Sequence, residues 1–145
     1  AIGLLRTQIQ AETKVSADLM KLQNLLFDLG ADACHPETAK NAQARRISEK
    51  SVSWLEEEIA TMLEEQAPLA SFVLPGGSAA AAWAHMVRTQ TRAVERRFVA
   101  LSQSEEVNPV ILKILNRMSD YFFVLARQFN NNGKTDVLWK PSWIL

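Results

Sequence analysis

The chain contains 145 residues, of which 48% are hydrophobic and 22% are charged. This composition is typical of globular domains and excludes disordered, collagen-like and rod-like coiled-coil proteins. Sixteen Lys and Arg residues balance sixteen Asp and Glu residues, so non-specific binding to nucleic acids or anionic membranes is not expected. With only five Gly and five Pro residues, the sequence favours long helices over a turn-rich all-β fold. The length predicts one domain over residues 1–145.

The cysteine content and the absence of long apolar runs bear on where in the cell the protein is located. Cys34 is the only cysteine, which excludes an intrachain disulfide and a multi-cysteine zinc site. No apolar run approaches the roughly 18 residues of a membrane span, and no signal segment opens the sequence. We therefore predict a cytoplasmic protein with no membrane or nucleic-acid partner. Because the sequence begins at Ala1 rather than Met, we expect the natural protein to extend further upstream.

Apolar residues recur at three- and four-residue steps in four segments, which predicts four amphipathic helices. The first segment extends from Ile2 to Leu29, and Gly30 is a natural end for it. The polar stretch 31–46 has no periodicity and is predicted to be a loop.

The second and third helices have recognisable starts. Either Ser48 or Ser51 could cap the second helix, which ends before Pro68. Ser78 is the predicted N-cap of the third helix, which should extend to about Ser102. Its apolar face is predicted to consist of Trp83, Val87, Val94, Phe98 and Leu101.

The fourth helix is predicted to begin at Asn108-Pro109, a capping residue followed by proline at the first helical position, and to end at 130–133. The tail 134–145 contains two tryptophans without a regular pattern, so it is either a docked extension or disordered. Four amphipathic helices with short or medium connections predict an all-α antiparallel bundle.

One stripe of the third helix, about 100° wide, is polar and rich in arginine. Its members are His85, Arg88, Arg92, Glu95 and Arg96. Guanidinium groups suit phosphate oxygens, and one glutamate among them can hold an arginine in place, so a polyphosphate is the obvious ligand. The alternative is a solvated helix face with Glu–Arg pairs worth about 0.5 kcal/mol or less each.

The fourth helix aligns Asn116, Asp120 and Arg127 on one face, with Phe123 between them. A phenylalanine among polar residues suggests a covered surface, either a ligand with a flat organic part or another subunit joined by salt bridges. Asp120 could orient an arginine or bind a metal, but it cannot form a complete metal site alone.

Two weaker signals favour structural interpretations. Gly76-Gly77-Ser78 could offer backbone N–H groups to an anion, although paired glycines before a helix more often form only a turn. His85 and Cys34 have no partners at ligand spacing and are expected to be structural.

Three motifs, in their order and spacing, resemble the PduO-type ATP:cob(I)alamin adenosyltransferases: FVLPGG at 72–77, HMVRTQTRAVER at 85–96 and NRMSDYFFVLAR at 116–127. LLFDLGAD at 25–32 is similar as well, so the resemblance covers nearly the whole chain. It implies a bundle of about five helices, a homotrimer with active sites between subunits, and transfer of the 5′-deoxyadenosyl group of ATP to cob(I)alamin. Triphosphate would be released, and Mg²⁺ is the expected companion of ATP.

The resemblance also implies residue roles. The residues expected to bind ATP are Arg88, Arg92, Glu95, Arg96 and Asn116, and those expected to bind cobalamin are Phe72, Asp120 and Phe123. Arg92, Arg88 and Phe72 are the expected catalytic residues. Phe72 matches a phenylalanine placed against the lower face of the corrinoid, where it would exclude the lower axial ligand and make Co(II) easier to reduce.

The sequence departs from the family pattern in two places. Ala93 stands where the family usually has a second consecutive arginine after Arg92. The basic, glycine-rich phosphate segment of the family is missing, and Ile2-Gly3 resembles the end of the acidic motif that follows it. These departures leave an alternative open: a non-catalytic helical trimer that binds adenosylcobalamin or nucleotide as a carrier or sensor.

Overall fold

The computed structural model describes residues 1–35 and 46–142. Within these ranges the chain forms five helices, namely α1 (Ile2–Arg6), α2 (Lys14–Ala33), α3 (Lys50–Glu64), α4 (Ala79–Leu101) and α5 (Pro109–Phe129). The predicted all-α bundle is therefore confirmed. None of the described helices is both long enough and apolar enough to cross a membrane.

The four longer helices alternate in direction along the chain. Partners on consecutive helices have opposite orders in the sequence, as in Lys14 with Glu58, Lys21 with Trp54, Glu95 with Asn116 and Ser78 with Asn130. Helix α5 packs against both α4 and α3. Apolar residues cover most of its circumference, as expected for a central helix, and Tyr121 and Phe122 are among its fully buried side chains.

The predicted first helix is interrupted, which corrects the expectation of one helix from Ile2 to Leu29. Helix α1 ends at Arg6, and α2 starts only after Thr13, whose side chain accepts a hydrogen bond from the Ser16 backbone N–H. A threonine that caps the next helix competes with helix continuation. Gly30 does not end α2, which continues to Ala33. Most of the predicted loop, residues 36–45, lies outside the described residues.

The start of α3 differs from the prediction, because Glu49 occupies the N-cap position and no side chain caps the helix there. The chain entering α3 is held instead by the buried carboxylate of Asp32. Asp32 accepts hydrogen bonds from Ile47 N at 2.7 Å, Arg46 Nη1 at 2.8 Å and Asn108 Nδ2 at 2.9 Å. Burial raises the pKa of Asp32, but these hydrogen bonds outweigh it and lower the pKa overall.

Helix α4 begins and ends where the sequence predicted, but its faces differ. The Ser78 Oγ accepts a hydrogen bond from Ala81 N at 3.1 Å, and the helix ends at Leu101. Val87 and Phe98 are buried as expected, whereas Val94 and Leu101 are exposed. The face of α4 that is buried against α5 is therefore not the same as the apolar face predicted from the sequence.

Helix α5 begins as predicted, with Asn108 accepting a hydrogen bond from Val110 N and Pro109 in the first turn. The described part of the tail after α5 packs against the loop before α4. Leu74 N donates to Val137 O at 2.7 Å, and Trp139 N donates to Phe72 O at 2.8 Å. Of the two interpretations of the tail, the docked one holds as far as Trp139, and Trp143 lies outside the described residues.

Replacing Ser78 with alanine should destabilise the fold by about 1 kcal/mol, because the N-cap hydrogen bond to α4 is lost. The Ser78 hydroxyl also donates to Phe129 O at 3.1 Å, so the loss should not be smaller than for an ordinary cap. Chemical denaturation of Ser78→Ala measures the effect. Ser48→Ala is the matched control, since Ser48 is exposed and caps no helix; equal destabilisation by both changes would contradict the capping role.

Candidate active site

The arginine stripe of α4 is partly buried at one end and exposed at the other. Arg88 is half-buried, and Arg92 and Arg96 are exposed. The Arg92 Nη1 lies 4.0 Å from Glu95 Oε2, so the two side chains form an ion pair one turn apart. Arg96 makes no ion pair within residues 1–35 and 46–142. The stripe predicted from spacing is therefore present as a charged surface.

A hydrogen bond from α5 fixes the glutamate of this stripe. The Asn116 Nδ2 donates to Glu95 Oε1 at 2.9 Å, and Arg117 Nη2 donates to Asn116 Oδ1 at 2.7 Å. Arg117 also lies 3.2 Å from Asp120 Oδ2. Together with Arg92, these four residues form a continuous chain of polar contacts across the two helices, which we call the Glu95–Asn116 network.

The Glu95–Asn116 network begins at Arg92, ends at Asp120 and contains a residue that the sequence analysis missed. Arg117 was not predicted to belong to the site, although its i, i+3 spacing from Asp120 was a signal that could have found it. Asp120 pairs with this arginine, as one of the two roles predicted for Asp120 requires. In the part of the chain that the structure describes, no group of three or more His, Cys, Asp or Glu side chains could hold a metal ion.

The Arg88 guanidinium lies over the aromatic ring of Phe123, with Cζ 5.8 Å from the ring centroid. Its Nε is buried and has no hydrogen-bond partner within the described ranges. Burial, and then the positive charge of Arg92, lower the pKa of Arg88. An arginine remains charged in proteins, so this unpaired donor close to a second cation forms a position that an anion would stabilise.

His85 belongs to the protein interior and not to the exposed stripe. Only 1% of the residue is exposed, and its ring packs against Phe123 with centroids 6.3 Å apart. Burial and the positive charge of Arg88 lower its pKa, and the carboxylate of Asp136 opposes them more weakly. The structural role predicted for His85 fits this position, and its burial separates it from the exposed arginines of the polar stripe.

Arg127 is buried as well, which corrects its placement on a ligand-covered face. It is 3% exposed, and its Nε donates to Asp136 Oδ2 at 2.8 Å. Its Nη2 donates to Ala67 O at 2.7 Å. The partner carboxylate lies in the tail, which the helical periodicity of α5 could not reveal. Arg127 is thus a structural residue of the bundle end.

Phe72 is an exposed aromatic residue on the loop before α4. The residue is 78% exposed, and its ring contacts the Trp139 ring edge-on at a centroid distance of 6.1 Å. Phe72 is therefore not part of the hydrophobic core. The loop that contains Phe72 ends at the Ser78 N-cap, ten residues before Arg88. At a rise of 1.5 Å per residue, Arg88 therefore lies about 15 Å further along α4 than the end of this loop.

The paired glycines before α4 form a turn and not an open anion site. Gly77 has a φ of 97°, which favours glycine. The Ser78 N–H that an anion would need donates instead to Asn130 Oδ1 at 3.0 Å. This arrangement agrees with the turn interpretation.

The model of the family described as cobalamin adenosyltransferase matches residues 1–129. The chain belongs to this family. It is 40% identical to the corrinoid adenosyltransferase of Bacillus subtilis strain 168 over 148 aligned positions, covering 99% of this chain and 75% of that protein. The cobalamin adenosyltransferase of Cupriavidus metallidurans is also 40% identical, covering 96% of this chain and 73% of that protein.

Solved structures support the same family. A phenylalanine-to-alanine variant of the Lactobacillus reuteri PduO-type ATP:corrinoid adenosyltransferase, complexed with cobalamin and ATP, matches with a TM-score of 0.87 and 34% identity. The match covers 97% of this chain and 78% of that one. An arginine-to-lysine variant complexed with ATP matches with a TM-score of 0.85 and 35% identity, covering 96% and 79%. The resemblance drawn from the three sequence motifs is confirmed.

The adenosyltransferase should lose stability through His85 when the pH falls below 6.5, the ordinary pKa of histidine. The pKa in the fold is lower, so the unfolded chain takes up the proton first and stability falls as the pH drops further. Urea denaturation at about pH 7.5 and about pH 5.5 measures this loss.

His85→Leu, which does not titrate, is the control and should lose less stability over the same interval. Asp32 acts in a lower range, because its pKa is lowered from an ordinary value of 3.8 and its contribution is retained above that value. An identical pH dependence in wild type and His85→Leu would show that His85 does not cause the loss.

Proposed function

We propose that this family member transfers the 5′-deoxyadenosyl group of ATP to cob(I)alamin and uses the α4 arginines to bind the triphosphate. The nucleophilic Co(I) attacks C5′ of ATP, and a cobalt–carbon bond forms. The bond between C5′ and the triphosphate oxygen breaks, and triphosphate leaves with the electron pair. The protein must therefore align two reactants and stabilise negative charge on the leaving group.

The observation that supports this proposal best is the Glu95–Asn116 network. Glu95 is held by Asn116 at one carboxylate oxygen and faces Arg92 at the other. Because Glu95 is fixed, it can guide the Arg92 guanidinium toward the leaving phosphate oxygens. Asn116, the bridging residue, would also contact the nucleotide.

Arg88 and Arg96 complete the proposed triphosphate site on either side of Arg92. The buried, unpaired Nε of Arg88 favours an anionic partner. Arg96 is exposed one turn beyond Arg92, so it is free to bind phosphate. The negative charge of the triphosphate would neutralise the positive charges of these arginines, which otherwise repel each other.

The proposed corrinoid site contains Phe72, Asp120 and Phe123. The Phe72 ring is largely exposed to water. A flat apolar ligand that covers it would remove apolar surface from water, which favours binding of that ligand. A phenyl ring against the lower face of the corrinoid would exclude the lower axial ligand, and Co(II) without this ligand is easier to reduce. Phe123 is half-buried under Arg88, and Asp120 pairs with Arg117 beside the nucleotide residues.

We further propose that the protein is a homotrimer with active sites between subunits. Large apolar side chains are exposed on four of the described helices, including Leu4 on α1, Phe27 on α2, Leu63 on α3 and Val94 on α4. Phe27 is 84% exposed, and burial of such side chains against a neighbouring subunit would stabilise an oligomer.

Mg²⁺ is proposed to arrive with ATP and to be held mainly by phosphate oxygens and water. The described residues provide no separate metal cluster, which agrees with this arrangement. A cytoplasmic location is proposed from the exposed thiol of Cys34, since a reducing compartment keeps such a thiol unpaired.

A carrier or nucleotide sensor is the second candidate, and the loss of one family arginine at Ala93 favours it. The deciding experiment measures adenosylcobalamin formation by the natural full-length protein with ATP, Mg²⁺ and chemically reduced cobalamin. Formation of adenosylcobalamin with release of triphosphate supports the enzyme. Tight binding of both ligands without turnover would support the carrier or sensor.

Arg92→Ala should lower kcat at least about tenfold, because a cation that stabilises the leaving triphosphate is removed. The rate of adenosylcobalamin formation measures this, and circular dichroism checks the fold. The matched control is Arg97→Ala, which removes an exposed arginine from a different side of the same helix and should leave kcat unchanged. Equal kcat values for the two well-folded variants would argue against the proposed role of Arg92.

Phe72→Ala should weaken the spectroscopic signal of four-coordinate Co(II) when ATP and cob(II)alamin are bound, because the ring no longer excludes the lower ligand. Magnetic circular dichroism and electron paramagnetic resonance measure the signal. Trp54→Phe, which changes an aromatic residue packed on Tyr121 elsewhere in the bundle, is the control. A signal that stays at the wild-type level in Phe72→Ala would remove Phe72 from the corrinoid site.

A further inference from the structure

A buried polar cluster lies at the end of α5, outside the proposed nucleotide site. It consists of Arg127, Asn130 and Asp136. The Arg127–Asp136 ion pair is 2.8 Å long, and its side chains are only 4% and 2% exposed. Asn130 Nδ2 donates to the other carboxylate oxygen of Asp136 at 3.3 Å, and Asn130 is 1% exposed. Neither proposed substrate needs this cluster directly.

The cluster forms hydrogen bonds with the C-terminal end of the loop that contains Phe72. Asn130 Nδ2 donates to Gly76 O at 3.1 Å, and Asn130 Oδ1 accepts from Ser78 N at 3.0 Å. On the N-terminal side, Arg127 Nη2 donates to Ala67 O. The backbone before and after Phe72 is thus tied to the same cluster.

The cluster also fixes the segment that pairs with the Phe72 loop. Asp136 immediately precedes Val137, whose carbonyl accepts the Leu74 N–H. Two residues later, Trp139 donates its N–H to Phe72 O and places its ring against the Phe72 ring. The ion pair therefore anchors the start of a short two-stranded contact that ends at Phe72.

Two glycines allow the cluster to pack this closely. Both have positive φ angles, 97° at Gly77 and 86° at Gly133. A Cβ at Gly77 would lie 2.2 Å from Asn130 Oδ1, and a Cβ at Gly133 would lie 2.3 Å from Arg127 Nη2. The backbone around the cluster is accordingly shaped to fit these polar groups.

We propose that Arg127, Asn130 and Asp136 are positioning residues that hold the ring of Phe72 in place for the corrinoid. This inference rests on the proposed role of Phe72. A ring that is 78% exposed has little packing of its own, so its position depends on its backbone and on Trp139. A buried ion pair is weak evidence for stability, whereas its directional bonds specify one loop geometry.

The main test is Asp136→Asn, which keeps the side-chain shape but removes the charge that pairs with Arg127. We expect KM for cob(I)alamin to rise about tenfold or more and the four-coordinate Co(II) signal to fall, while KM for ATP stays unchanged. The double variant Arg127→Met with Asp136→Leu replaces the pair by apolar groups, so that the site can be tested if Asp136→Asn fails to fold. It should show the same selective corrinoid defect.

The controls separate positioning from general stability. Leu19→Ala opens a cavity in the core beside α2, far from the loop in sequence, and should lower stability without changing the ratio of the two KM values. Hydrogen exchange in the protein without substrates gives a readout independent of activity. The amides of Leu74 and Trp139, which bond across the two segments, should lose protection in Asp136→Asn, and the α4 amides should keep theirs.

The outcomes distinguish this inference from the function on which it rests. A selective corrinoid defect together with lost protection at the two amides supports the inference. Unchanged corrinoid KM and Co(II) signal in Asp136→Asn, when Phe72→Ala alters both, would overturn it while leaving the proposed function intact. If Phe72→Ala itself alters neither quantity, the corrinoid role of Phe72 fails and the positioning role fails with it.

Discussion

The hydrogen bond from Asn116 to Glu95 is the contact on which the charged half of the site depends. It joins α4 to α5 at a point where both helices have polar side chains among buried apolar ones. Because Asn116 is neutral, it can hold the carboxylate without cancelling its charge, and Glu95 stays available to Arg92. An exposed Glu–Arg pair alone contributes at most about 1 kcal/mol, so the fixed amide is what makes this geometry specific.

Local signals were sufficient to predict much of the bundle. The caps at Ser78 and Asn108, and the bounds of the helices that follow them, depend on residues within one turn. Helical spacing likewise placed Arg92, Glu95 and Arg96 on one side of α4. The break after Arg6 escaped prediction, because Thr13 caps the next helix although apolar residues continue on both sides of the break.

What the sequence did not reveal depends on partners distant in the chain. His85 and Arg127 look polar and exposed on helical wheels, yet Phe123 covers the first and Asp136 pairs with the second. Asp32 likewise holds the entry to α3 through Asn108, which is 76 residues away. Periodicity describes one helix at a time, so it could not assign these side chains to the interior.

The two halves of the site are organised by different physical means. In the charged half, the Asn116 amide holds Glu95 and Glu95 pairs with Arg92, an arrangement that suits a partner whose charge changes during the reaction. Phe72 is held through its backbone, because an aromatic ring offers no directional bond by which a neighbour could fix it. Exposing the apolar Phe72 ring to water is unfavourable as long as no ligand is bound. Free energy is gained when a flat apolar surface covers the ring. In the proposed corrinoid site, stability and function therefore make opposite demands on Phe72, and the Arg127–Asp136 ion pair contributes by specifying one geometry of the loop.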